Sequence, residues 1–281
     1  MYLRVGAKIA VTGANGAVGR ALLESLEATR MRTVALTRTA HRLPATQEVV
    51  GPLDSPDALA ALQESDYVVH LAGTLRPTGN NSYHAANVQT TETVARALRD
   101  SAAKRVLFLS YIGASADAKN AYLRTKAMAE RLLAGTGKDL VVFRCTHIIG
   151  PPEAPGPTAL ELIAEGRPPT VLGSGRQVVA PLYVGDVVAA LEAAIAGGPP
   201  GVYDLAGPEG MSLDDLVRLL NRNPRIRIRH IPAPVARMLG RFLPSLPGPL
   251  VEVMVRDSLG DPSRAIAAFG LKLTSLREVW R

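Results

Sequence analysis

The 281-residue chain is long enough for one large α/β domain, or one such domain with a small appended lobe, and its 47% hydrophobic content supplies a full core. A single cysteine, Cys145, excludes an intramolecular disulfide framework and a cysteine-rich zinc site. The formal charge of +7 comes largely from scattered arginine, so it points to a basic enzyme suited to phosphorylated ligands and argues against a nucleic-acid partner.

The first residues run from a short apolar stretch straight into glycines, without a signal-peptide cleavage pattern. No run approaches the ~18–20 apolar residues of a spanning helix. A cytoplasmic protein is expected, with membrane contact at most peripheral.

Short runs rich in Val, Ile and Leu predict strands at residues 8–12, 33–37, 48–50, 67–71, 105–110 and 140–144. They lack strict polar alternation, as strands buried on both faces do. Amphipathic segments at 18–29, 56–64, 83–101 and 121–135 predict the intervening helices. Repeated βα units of this length imply right-handed crossovers and a doubly wound parallel sheet, the Rossmann type of α/β fold.

Composition changes at a Pro/Gly-rich stretch, residues 150–158. Residues 1–150 therefore read as a dinucleotide-binding domain, and 151–281 as a smaller substrate-binding lobe that partly completes the sheet. In that lobe, 181–196 reads as a strand end plus helix, 202–205 as a strand, 212–221 as a helix capped by Ser212, and 225–230 as a one-sided strand. Residues 237–255 carry Met238, Leu239, Phe242, Leu243 and Leu246 beside Arg237 and Arg241, with prolines at 244, 247 and 249 that prevent one long helix. A peripheral lipid contact, a cover over the cleft and an oligomer contact all remain open for this stretch, in a monomer or a homodimer.

The strongest local signal is Thr12-Gly13-Ala14-Asn15-Gly16-Ala17-Val18-Gly19, which follows the first predicted strand and opens the first helix. Gly13 permits the tight turn, Gly16 lets backbone approach a pyrophosphate, and Gly19 lets the helix pack closely on the sheet. The helix N-terminus then presents unpaired N–H groups to phosphate. The second strand ends Ala35-Leu36-Thr37-Arg38, with Arg42 nearby and no acidic side chain for a ribose hydroxyl. Arginine offers a planar fork for a 2′-phosphate, so NADP(H) is favoured over NAD(H).

Tyr122 and Lys126 are four residues apart, just over one helical turn, so the phenol and the ammonium share a face. With the glycine turn, His70-Leu71-Ala72-Gly73 and Leu53-Asp54, these residues resemble the short-chain dehydrogenase/reductase superfamily, in its extended or atypical, epimerase/dehydratase-like branch. The resemblance implies hydride transfer on a carbonyl/alcohol pair. It makes Tyr122 the acid/base, its pKa lowered by Lys126, which also holds the nicotinamide ribose. It makes Ser110 the hydroxyl that orients the carbonyl, and Asn87 the support of the lysine through water. It places Leu53 and Asp54 near adenine, Leu71, Ala72 and Gly73 along the cofactor, and Cys145 near the nicotinamide, where the family often has proline. Cys145 reads as a small packing residue and His147 as a wall of the cleft; no second ligand at suitable spacing supports a metal.

The stretch from Ser110 to Glu130 and the C-terminal region are similar to one subgroup, bacterial relatives of the NADPH-binding accessory subunit of respiratory complex I. That similarity leaves open an NADP(H)-dependent oxidoreductase and a non-catalytic NADPH-binding structural or redox-sensing protein. A sugar-nucleotide epimerase or dehydratase is a further alternative, though such enzymes usually run longer. A substrate pocket is expected between residues 74–81, 111–113, the surroundings of His147, and 173–179, with Arg176 as a candidate anion contact and without concentrated positive charge.

Overall fold

The computed structural model describes residues 6–29, 31–77, 81–151, 159–166, 168–240, 242–243 and 246–281. Most of the Pro/Gly-rich stretch, together with Arg241 and Pro244, lies outside the described residues.

The first half carries six strands and four α-helices, with a helix between successive strands except between β2 and β3: β1 (Lys8–Thr12), α1 (Ala17–Glu27), β2 (Arg32–Thr37), β3 (Gln47–Val50), α2 (Pro56–Gln63), β4 (Tyr67–His70), α3 (Thr90–Arg99), β5 (Arg105–Tyr111), α4 (Ala121–Ala134) and β6 (Asp139–Cys145). A seventh strand, Gly201–Leu205, pairs in parallel with β6. The sheet is parallel throughout, in the spatial order Gly201–Leu205, β6, β5, β4, β1, β2, β3. Chain order therefore reverses between β1 and β4, and the crevice beyond their carboxyl ends is where such sheets bind ligands.

Side chains of one strand alternate between two apolar layers, which is why the sequence shows apolar runs and no polar alternation. Ile9 and Val11 join the layer under α1 and the Val184–Ala196 helix, while Ala10 joins the layer under α2, α3 and α4. Arg105 secures the seventh strand's approach. Its guanidinium donates to the carbonyls of Ala194, Gly197 and Gly198 at 2.6–2.8 Å, at the C-terminal end of the Val184–Ala196 helix.

A third apolar cluster gathers residues mostly from the second half of the chain, with Ile149, Leu160, Val171, Leu213, Leu216, Val251 and Trp280 among its members. The indole N–H of Trp280 donates to the Gly150 carbonyl at 3.0 Å. Ser212 caps the Leu213–Asn221 helix as expected, accepting from the Asp215 amide at 3.1 Å.

Two elements differ from expectation. The strand expected over 225–230 is confined to Arg229–Ile231, paired with Thr170–Leu172. The Asn223-Pro224 turn consumes the preceding residues: Ile226 donates to the Asn223 carbonyl and Arg225 to its side chain. The long helix before β5 begins as a π-helical turn, His84–Gln89, and only then becomes α3. Such turns recur at functional sites, and this one carries Asn87.

Candidate active site

The turn after β1 is built by steric necessity. Gly13 has φ +65°, and a Cβ there would lie 2.7 Å from the Ala72 amide nitrogen. A Cβ on Gly19 would come within 2.6 Å of the Gly13 carbonyl, so Gly19 lets α1 start directly against the turn. The N-terminus of α1 has no side-chain cap and no acidic residue in its first turn. Its leading N–H groups are left for a ligand anion.

That end faces a cavity of about 510 Å³ lined by Thr12, Gly13, Asn15, Gly16, Arg38, Leu53, Leu71, Ala72 and Gly73. Val49, Leu53 and Ala58 give it one apolar wall. Its charged lining residues, among those described, are Arg38 and Arg76, with no carboxylate. Ala17, Val18 and Gly19 stand behind the turn in α1, and Asp54 is exposed and not part of the lining. Arg42 is also exposed. Glu48, whose role the sequence did not reveal, anchors the loop after β2. Its carboxylate accepts from the Thr37 hydroxyl at 3.1 Å and from the His41 and Arg42 amides at 2.9 and 3.2 Å. Burial opposes its charge, but these hydrogen bonds hold its pKa below the usual value.

A buried chain of hydrogen bonds joins this turn to Asn87. The Ala72 amide donates to Thr12 Oγ1 at 3.2 Å, and Thr12 Oγ1 lies 2.7 Å from His70 Nδ1. His70 Nε2 lies 2.9 Å from Thr91 Oγ1, which donates to the Asn87 carbonyl at 2.6 Å. One hydroxyl has one proton, so Thr91 accepts from His70, and Nε2 carries the imidazole hydrogen. Thr12 then donates to Nδ1. Every member is satisfied only with neutral His70, whose pKa burial and the Lys126 charge push down to about 3.

The expected catalytic residues converge on a second cavity of about 230 Å³. Ser110, Tyr122, Lys126 and Cys145 line it, together with Tyr111 and His147, and it shares Leu71, Gly73 and Thr74 with the first. Helix α4 is fixed at both ends. Asn120 caps its start by accepting from the Tyr122 and Leu123 amides at 3.0 and 3.3 Å, and it donates to the Pro249 carbonyl and to Glu252. Further along, Glu130 receives a two-pronged bond from Arg144 of β6 at 2.6 and 3.0 Å.

Lys126 is 7% exposed; its Nζ donates to the Leu109 carbonyl at 2.8 Å and lies 4.7 Å from the Phe108 ring centroid. Burial lowers its pKa to about 8. The expected lowering of the tyrosine is absent. Burial first, then the neighbouring Tyr111, Cys145 and Tyr83, push the Tyr122 phenol up. Lys126 is directed at the Leu109 carbonyl, so desolvation dominates. His147 is neutral, its pKa lowered by burial to about 4, and burial pushes the Cys145 thiol up to about 12.

Asn87 makes direct hydrogen bonds at the edge of the site. Its side chain accepts from the Thr74 amide at 2.8 Å and donates to Thr125 of α4 at 3.1 Å, pinning the loop after β4 to the helix that carries Tyr122. A Cβ on Gly73 would lie 2.8 Å from its Oδ1 and 3.4 Å from Lys126 Nζ. Among the described residues, Ser110 Oγ is the one buried side-chain polar atom without a partner. Tyr111 and His147 meet edge to face at 5.8 Å as a wall. Residues 173–179 and Arg176 do not line either cavity. No group of metal-ligating side chains occurs among the described residues.

The sequence is similar to several proteins of known name. It is 26% identical over 82% of its length to the mitochondrial NADH dehydrogenase [ubiquinone] 1 alpha subcomplex subunit 9 of Arabidopsis thaliana, of which it spans 61%. It is 29% identical, over 84% of this chain and 79% of the other, to a 4-hydroxy-2-methyl-3-oxo-4-farnesyl-3,4-dihydroquinoline-1-oxide ketoreductase of Stigmatella aurantiaca. The fold is shared with MoeE5 in complex with UDP-glucuronic acid and NAD, with a TM-score of 0.79, 22% identity, and coverage of 98% of this chain and 96% of that one. It is also shared with the UDP-glucuronic acid 4-epimerase of Bacillus cereus, with a TM-score of 0.76, 22% identity, and coverage of 97% and 96%. The NAD dependent epimerase/dehydratase family model matches residues 9–206, which include nearly all of the sheet, and the chain belongs to that family.

Proposed function

We propose that this protein is an NADP(H)-preferring oxidoreductase that reduces a carbonyl compound, with residues 1–150 holding the cofactor and 151–281 closing over the substrate. The observation that carries this reading is the unpartnered, buried Ser110 hydroxyl beside Tyr122 and Lys126 in one cavity. Leaving such a group unpaired costs about 1–3 kcal/mol, a penalty that a bound carbonyl oxygen removes.

A reduced nicotinamide, when bound, supplies a hydride to the carbonyl carbon. Ser110 donates a hydrogen bond to the carbonyl oxygen and Tyr122 delivers the proton that completes the alcohol. The raised Tyr122 pKa keeps the phenol protonated, which suits reduction. Lys126 would hold the nicotinamide ribose when the cofactor is bound, and Asn87 holds the loop and helix that frame the site. The NADP(H) preference is supported by Arg38 and Arg76 in a cavity whose described lining has no carboxylate. Oxidation of bound NADPH by a carbonyl compound tests the reading.

Sugar-nucleotide epimerisation has the family and the UDP-sugar-bound structural neighbours in its favour. A reductase is favoured by the ketoreductase relative and by the lining of the smaller cavity. For residues 237–255, contact with an anionic membrane surface is supported by exposed Met238, Phe242 and Leu243 beside Arg237, with Phe242 77% exposed, and by the +7 charge. None of the helices is long and apolar enough to cross a membrane, among the described residues.

A further inference from the structure

Resting on that oxidoreductase reading, we propose that the substrate is an uncharged, largely apolar carbonyl compound and not a nucleoside-diphosphate sugar. The cavity that contains Ser110 and Tyr122 is walled by Leu71, Leu75, Leu109, Ile148, Leu160 and Met254. Its volume, about 230 Å³, is small beside the ~300–1,000 Å³ of typical ligand pockets. Among its described lining residues the one cationic side chain is Lys126, which already donates to the Leu109 carbonyl.

A diphosphate brings about two negative charges, and burying each without a partner costs several kcal/mol. The neighbouring pocket does not supply the missing cations. It holds about 220 Å³ behind Tyr111, and its Arg256 is accompanied by Glu252 and Asp257, so carboxylates outnumber cations there. A phosphate entering that pocket meets repulsion on balance. Arginine is instead concentrated on the cofactor side, at Arg38 and Arg76, so the strong anion-binding elements belong to the dinucleotide. An apolar ketone asks for less: one hydrogen bond from Ser110, one proton from Tyr122, and burial worth ~25 cal/mol per Å² of apolar surface.

The test uses the full chain loaded with NADPH and four probes: propiophenone, decan-2-one, UDP-glucose and UDP-glucuronate. Binding is read from the fluorescence of the bound reduced nicotinamide, and turnover separately from its loss of absorbance. At least one ketone is expected to bind at least about tenfold more tightly than either UDP-sugar, a difference of about 1.4 kcal/mol. Met254→Arg should weaken ketone binding relative to UDP-glucuronate binding. Equal or tighter binding of a UDP-sugar by the native chain overturns the proposal, as does binding of no ketone at all. Ketones that bind without oxidising NADPH overturn the oxidoreductase reading and leave the substrate class standing.

Discussion

Ser110→Ala separates a substrate-facing hydroxyl from a structural one. In the wild type Ser110 is 5% exposed and its buried hydroxyl is without a partner. An unsatisfied buried group costs about 1–3 kcal/mol, so removing it returns part of that penalty and leaves a gap of a single oxygen atom. At about 2–4 °C per kcal/mol for a chain of this size, the cofactor-free variant should melt at the wild-type temperature or a few degrees above it. Activity should move the other way. Losing a donor aimed at the reacting oxygen costs about 10²–10³-fold, roughly 2.7–4 kcal/mol, in kcat/KM for ketone reduction. Differential scanning calorimetry and NADPH oxidation with propiophenone read the two quantities, and fluorescence titration should give an unchanged NADPH affinity. A variant that melts several degrees lower while retaining kcat/KM would refute the reasoning.

Arg38→Asp should weaken NADPH binding about 10–100-fold, the worth of a charge-assisted contact, with little loss for NADH; equal losses in parallel titrations contradict a 2′-phosphate contact. His70 and His147 are held neutral by burial, with pKa values of about 3 and about 4 against 6.5 unfolded. The stability they contribute is therefore complete above pH 6.5 and is lost as pH falls toward 4 and then 3. Denaturant titrations should show a slope approaching about 2.7 kcal/mol per pH unit between pH 6 and 4. His147→Gln should remove about half of it, and an unchanged slope refutes the assignment. The protein should sediment with vesicles containing phosphatidylglycerol more than with neutral ones, and Phe242→Ser should reduce that binding; indifference to both lipid charge and substitution removes the membrane contact.

The sheet was legible because strands buried on both faces leave apolar runs such as those of β1 and β5, and the glycine turn because its spacing is dictated by backbone clearance at Gly13 and Gly19. The seventh strand, Gly201–Leu205, reads as a strand, but its return to β6 is a long-range event that no local pattern encodes. The π-helical turn at Asn87 is equally hidden, since one extra residue in a helical turn barely alters apolar spacing. His70 stands in a recognisable segment. Its partners Thr12 and Thr91, however, lie 58 and 21 residues away and are joined only by the fold. Arg225 and Ile226 show where pattern misleads: alternation suggested a strand, and the turn chemistry of Asn223-Pro224 prevailed. The spacing of Tyr122 and Lys126 puts both on one face of α4, yet spacing says nothing about burial, and burial shifts both of their pKa values.

Single-turnover oxidation of prebound NADPH by a ketone, compared between the native chain and Tyr122→Phe, bears on whether the cofactor is used as well as held. The native chain should oxidise its bound NADPH. The variant, which keeps the ring packed 5.6 Å from Tyr111 and 6.0 Å from Tyr83, should bind NADPH equally well and react about 10²–10⁴-fold more slowly. NADPH that stays reduced in the native chain against every carbonyl offered, or that is oxidised equally fast by both proteins, would contradict a carbonyl reductase built on Tyr122.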